Sequence, residues 1–248
     1  MIRRIACLAT LAASLFASPA GAQQAAKIHM HSDSGYAADG VLFAPADGAP
    51  VPGILLIPGD WGLTASIVEQ GRRLANAGYV VVAIDLYRGE VAADEQRAAL
   101  LARTLPSERA LQDLTAAVGF LRAQPNVRPD EIGVIGWSFG SGYALEVARR
   151  LPVHAVVLNG APAIEAMPSA AARVPVLGNF GGRDCDASPS RIRALQRALS
   201  ADGVAVDFKV YRHAGRDFDS TDRPGFRVDE ARDAERRTLT FLAATLAR

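Results

Sequence analysis

Short apolar runs closed off by Pro or Gly alternate along this chain with longer segments of helical spacing. That alternation constrains the fold more than any other feature. The runs are Gly53–Ile57 within "VPGILLIPGDWGL", then "YVVVAIDLY", "EIGVIGW", "VHAVVLNG", "VPVLGNF" and "VAVDFKVY". Each is too short for a helix, and most are apolar at consecutive positions, as a strand covered on both faces has to be. Between and after them lie Ala65–Ala77, residues 92–104 and 107–124, "SFGSGYALEVARRL", "SRIRALQRALS" and residues 226–247. In the third of these, Leu111, Leu114, Ala117, Val118 and Leu121 form one apolar stripe, and Phe241 and Leu242 mark the inner face of the last. Ahead of them all, "AKIHMHSDSGYAADGVLFAPAD" predicts two edge strands with a turn at Ser32–Gly35. Strand–helix alternation of this kind implies an α/β chain with a mostly parallel central sheet and helices on both faces. No linker, repeat or low-complexity block interrupts it, so residues 23–248 are expected to form one domain. Its reactive groups are expected beyond the carboxyl ends of the strands.

The opening "MIRRIACLATLAASLFASPAGAQQ" stands apart. Arg3 and Arg4 precede an apolar run from Ile5 to about Ala17, and Ala20-Gly21-Ala22 supplies a small-residue cleavage site. This predicts a signal peptide over residues 1–22 and a periplasmic or secreted mature chain. Its run falls short of the roughly 20 residues that a membrane-spanning helix needs. Cleavage removes two arginines and no acid, leaving 25 Lys+Arg against 26 Asp+Glu and a net charge of −1. A chain so nearly neutral has no basic field for nucleic acid or anionic lipid, so neither is expected as a partner. Cys7 leaves with the leader, and Cys185 then has no cysteine to pair with.

"GWSFGSG" at residues 136–142 lies between a predicted buried strand and a predicted helix. In that setting G-x-S-x-G is a nucleophile elbow, whose glycines permit a sharp turn that lifts the Ser138 hydroxyl above the sheet. Acyl transfer also needs N–H groups aimed at the developing oxyanion. The N–H of Phe139, next to the serine, and that of Asp60, in the loop after the first buried strand, are the candidates. Trp61 would wall the same pocket or pack between loop and helix.

"IPGDWGL", "AIDLYRGE", "FLRAQPNVRPDEIGVIGWSFGSGYAL", "GGRD" and "YRHAGRDF" follow one another as in the dienelactone hydrolase family of α/β-hydrolases, which the chain resembles from about Val41 to Leu246. The resemblance implies an α/β-hydrolase fold and hydrolysis of a small-molecule ester or lactone, without metal or organic cofactor. It implies a Cys or Ser nucleophile, then Asp, then His, in chain order. Ser138 takes the first role, and Asp184 in "GGRD" the second, with Asp186 as a fallback. Many members carry Cys at the elbow and a Glu in the loop after the first buried strand. Here Gly59 fills that slot, with Asp60 beside it. Tyr87, Arg88 and Trp61 are candidate pocket residues.

The family pattern resembles Y-x-x-A-G-H-x-F, and the ungapped match places Arg216 where the histidine belongs. Arginine stays charged and cannot accept the serine proton. The chain has four histidines. His29 and His31 belong to the amino-terminal edge, and His154 begins the strand after the elbow helix, at the far end of the sheet. Only His213 follows the last strand on the correct side, and it is the candidate base. Three readings stay open. In the first, Ser138, His213 and Asp184 hydrolyse an ester or lactone. In the second, the fold binds an anion through the Arg216 guanidinium, in bidentate geometry, without catalysis. In the third, the acyl substrate is a peptide or a polyester.

Overall fold

A computed structural model describes residues 24–31, 37–46, 48–160, 174–185 and 188–246. The predicted leader, the Ser32–Gly35 turn and Asp186 lie outside the described residues. Eight strands and six helices follow the expected order. They are β1 (Gln24–His31), β2 (Ala37–Ala44), β3 (Val51–Ile57), α1 (Ala65–Asn76), β4 (Val80–Asp85), α2 (Glu95–Thr104), α3 (Ser107–Ala123), β5 (Val127–Trp137), α4 (Phe139–Arg150), β6 (Ala155–Asn159), β7 (Val176–Gly181), α5 (Pro189–Ala201), β8 (Val206–Tyr211) and α6 (Val228–Leu246). β5 starts earlier than "EIGVIGW" suggested, because Val127 pairs with Val51 before the register shifts ahead of Gly53.

The strands form one sheet in the order β1-β2-β4-β3-β5-β6-β7-β8. β1 and β2 run antiparallel to their neighbours, and the other pairs are parallel. Successive side chains of a strand point to opposite faces, so each apolar run supplies both layers of the core. Leu55, Ile57, Val82, Ile84, Val134 and Leu158 pack with α3, α4 and α5. Ile54, Leu56, Val81, Ala83, Ile135, Trp137 and Val157 pack on the other face with α1 and α6. On β1, Ile28 and Met30 are buried while His29 and His31 face out, and His29 bonds Asp39, its partner across the ladder.

Strand order reverses at β3, whose neighbours are β4 on one side and β5 on the other. The carboxyl ends of β3 and β5 therefore flank the switch point, where α/β sheets place their ligands. Ser138 follows β5 and the Asp60 loop follows β3.

The second face is packed tightly enough to reject a methyl group. A Cβ on Gly71 in α1 would stand 2.5 and 2.7 Å from ring carbons of Phe43. That ring is fully buried and has nowhere to yield. Alanine is the better helix former by about 1 kcal/mol, yet overpacking a core costs roughly 1–3 kcal/mol. Gly71→Ala is therefore expected to lower the urea midpoint; a rise would show that α1 can shift off Phe43.

Candidate active site

Ser138 has φ 47° and ψ −117°, a conformation that few non-glycine residues adopt. Close approaches on every side hold it there. A Cβ at Gly136 would meet the Gly140 carbonyl oxygen at 2.3 Å, and one at Gly140 would meet the Pro58 oxygen at 2.4 Å. Both motif glycines are thus required by contact between backbones. Gly59 lies against the elbow too: its Cβ would stand 3.3 Å from that of Ser138. The Ser138 N–H donates to the Asn159 carbonyl at 2.9 Å, and the Ser141 hydroxyl donates to the Gly136 carbonyl.

Ser138 is also the N-cap of α4, a place where serine ordinarily spends its oxygen on the first turn. Here it makes no side-chain capping bond. The residue is buried and precedes the first N–H groups of a helix, which have no partner within it. Phe139 supplies the first of these, as the sequence suggested. The β3 loop brings Asp60 to the same end of the sheet, and its carboxylate pairs with Arg216 at 3.2 Å.

Tyr87 and Phe139 stack with ring centroids 6.2 Å apart, and Tyr143 meets Phe139 edge-on at 5.4 Å. The Tyr87 hydroxyl is buried without a hydrogen-bond partner among the described residues. Burial pushes its pKa up, and the nearby Asp60 charge and Tyr143 add to the effect. Tyr87 thus belongs to the Asp60 side of the site. Arg88 is used otherwise than the pocket reading held. Its guanidinium donates to the Ala37 carbonyl and, at 2.8 Å, to the fully buried Asp113. A buried carboxylate needs a cation, and Arg88 is committed to that pairing.

Asp184 is buried at the end of the β7 turn, where its N–H donates to the Gly181 carbonyl. The loop after β8 packs against this turn: Arg183 N–H donates to the Ala214 carbonyl, and Gly182 N–H to that of Tyr211. The turns that carry Asp184 and His213 are therefore neighbours. The His213 ring, however, is exposed, and its charge acts on Glu230 in the first turn of α6. Arg227 is the main cause that holds Glu230 below its ordinary value; His213 adds to it. Among the described residues, the imidazole and the Ser138 hydroxyl share no hydrogen bond. Arg216 reaches the Asp60 loop instead.

The sequence offered Asp217 and Asp219 as ion-pair partners for Arg216, not as acceptors for the two indoles. Trp61 N–H donates to Asp217 at 3.1 Å, and Trp137 N–H donates to Asp219 at 2.8 Å. Arg223 lies over the Trp61 ring, 3.6 Å from its centroid. Ser66 N–H donates to Asp222, and Thr221 N–H donates to the Ser66 hydroxyl. A signal was present, because a buried indole N–H seeks an acceptor. Which carboxylate answers it depends on the course of the loop. His154 lies at the opposite end of the sheet, as expected, where its N–H joins Ile132. Among the described residues, no group of three His, Cys, Asp or Glu side chains could hold a metal ion.

Burial pushes the Asp219 carboxyl up to about 6; the Trp137 hydrogen bond opposes this, and the Asp217 charge adds to it. A folded value above the unfolded one, about 3.9, means that folding favours the protonated acid. The resulting stability is complete at low pH and is lost as pH rises through about 6. Thermal unfolding of the wild type relative to Asp219→Asn, followed from pH 4 to pH 7, is expected to show that decline; parallel curves would refute it.

The dienelactone hydrolase family model matches residues 38–246. The carboxymethylenebutenolidase of Pseudomonas putida is 28% identical over 231 residues, covering 87% of this chain and 95% of its own. Among solved structures, m3DLH is 26% identical with a TM-score of 0.78, covering 91% of this chain and 100% of that one. Thermogutta terrifontis esterase 2, phosphorylated by paraoxon, shares the fold at 16% identity with a TM-score of 0.70, over 89% of this chain and 94% of that one. The chain belongs to the dienelactone hydrolase family of α/β-hydrolases.

Proposed function

We propose that the chain is an exported, serine-dependent member of this family that hydrolyses small carboxylic esters or lactones. Family membership makes it a hydrolase of ester bonds. The observation that carries the finer reading is Ser138 itself, a strained N-cap residue whose hydroxyl does no capping. Backbone strain persists only where the surroundings over-determine it, and it gathers at reactive sites.

In this reading Ser138 Oγ attacks the carbonyl carbon, and the N–H groups of Phe139 and Asp60 take up the charge that forms on its oxygen. The alcohol leaves, and water then releases the acyl group from the serine. Hydroxyl attack needs a proton acceptor. His213, oriented by Asp184, is that acceptor; to serve, its exposed ring must turn inward toward Ser138. Export rests on the leader sequence.

One observation favours a second reading. Arg216 occupies the family's histidine position and is paired with Asp60, while the only nearby imidazole faces outward. A pocket of that kind binds an anionic molecule through arginine and turns over slowly, if at all.

Labelling with a fluorophosphonate probe and turnover of p-nitrophenyl acetate separate the two. Under the first reading Ser138→Ala abolishes both, and His213→Ala lowers kcat/KM by about a hundredfold or more. Under the second, His213→Ala changes nothing, and Arg216→His raises turnover by about tenfold or more by restoring an acceptor. Labelling that survives Ser138→Ala would overturn both.

A further inference from the structure

The chain has two tryptophans, and both direct their indole N–H to carboxylates of one short stretch, Asp217 and Asp219. Trp61 belongs to the loop that carries Asp60, and Trp137 is the last residue of β5, directly before the nucleophile. From the geometry we infer that these two bonds form a clasp setting the Asp60 loop and Ser138 in their reacting positions, with Asp219 as a positioning residue for acyl transfer. The inference rests on the reading of Ser138 as the nucleophile.

The Trp137–Asp219 bond is the critical half. Trp137 runs straight into the strained Ser138 backbone, and its carbonyl oxygen lies against Gly59, 3.2 Å from where a Cβ there would stand. A shift of the Trp137 main chain is therefore passed to the serine and to the β3 loop together. A small cavity lined by Trp137, Asn159, Asp219 and Thr238 borders the buried ring on the α6 side. Atoms facing a void lose their contacts on that side, and there the hydrogen bond at 2.8 Å ties the indole to Asp219. Asp219 is itself fixed. Phe218 beside it is buried under Tyr211 and Ala234, and the Arg227 N–H donates to the Phe218 carbonyl. Of the charged groups around Asp219, Asp217 belongs to its own loop, while Arg73 of α1 and Glu235 of α6 pair with each other at the cavity rim.

The test uses the full mature chain and compares Asp219→Ala, Asp219→Asn and Trp137→Phe with the wild type. Asparagine keeps a carbonyl acceptor for the indole; alanine does not, and phenylalanine removes the donor. Fluorophosphonate labelling is expected to slow by about tenfold in Asp219→Ala and Trp137→Phe, and to stay within about threefold in Asp219→Asn. With p-nitrophenyl acetate the loss is expected in kcat, with KM unchanged. Because both indoles belong to the clasp, tryptophan emission should shift in Asp219→Ala and not in Asp219→Asn. Wild-type labelling rates in Asp219→Ala would overturn the proposal. So would an equal loss in Asp219→Asn, which would assign the effect to the buried charge. If Asp219→Ala does not fold, Trp137→Phe and Asp219→Asn carry the same contrast. If the wild type is not labelled, the nucleophile reading fails separately, and an unchanged emission in both Asp219→Ala and Trp137→Phe's remaining indole would overturn the clasp.

Discussion

One backbone conformation governs the rest of the site, that of Ser138 at φ 47° and ψ −117°. Holding a non-glycine residue there costs on the order of 1–3 kcal/mol. The sheet meets that cost through contacts that leave no other path. Gly136 and Gly140 touch backbone to backbone, the Pro58 carbonyl closes on Gly140, and Asn159 accepts the Ser138 N–H. Only the first of these contacts is local to the elbow. Together they come from the ends of β3, β5 and β6, so the Ser138 turn forms only when three strands are in register.

The same logic extends outward through polar side chains. Asn159 Oδ1 accepts from Asn179, which is fully buried and accepts in turn from Arg237 of α6 at 2.7 Å. Arg237 also donates to Asp207 on β8. A buried amide is tolerated only when its donors and acceptors are matched, and here the matching ties four elements beneath the site. Above it, the loop between β8 and α6 is fastened to the β3 loop by Arg216–Asp60 and Trp61–Asp217, and to the start of α1 by the Ser66 bonds. Half-exposed pairs such as Arg216–Asp60 contribute little stability by themselves. Their effect is geometric, since they fix which side chains of the loop face Ser138.

This explains why the strands and helices were legible in the sequence and the catalytic base was not. The apolar runs predicted the strands because burial on two faces leaves a strand few other compositions. Ser138 and Phe139 were readable because their conformation is written into the flanking glycines and into the strand and helix around them. Arg88 was not, since its neighbour in sequence, Tyr87, faces the site while its own guanidinium turns back to Asp113, 25 residues away. His213 and Arg216 differ by three positions in one turn, and a loop reverses the direction of a side chain within that distance.

The sequence by itself determined the fold, the elbow and the order of candidate residues, because periodicity and glycine placement act over a few neighbouring positions. Tertiary structure alone decided which cation reaches Asp60, which carboxylate answers each tryptophan, and that His213 is exposed. Those outcomes depend on how two loops from opposite halves of the chain pack together, and a linear pattern carries no record of that contact.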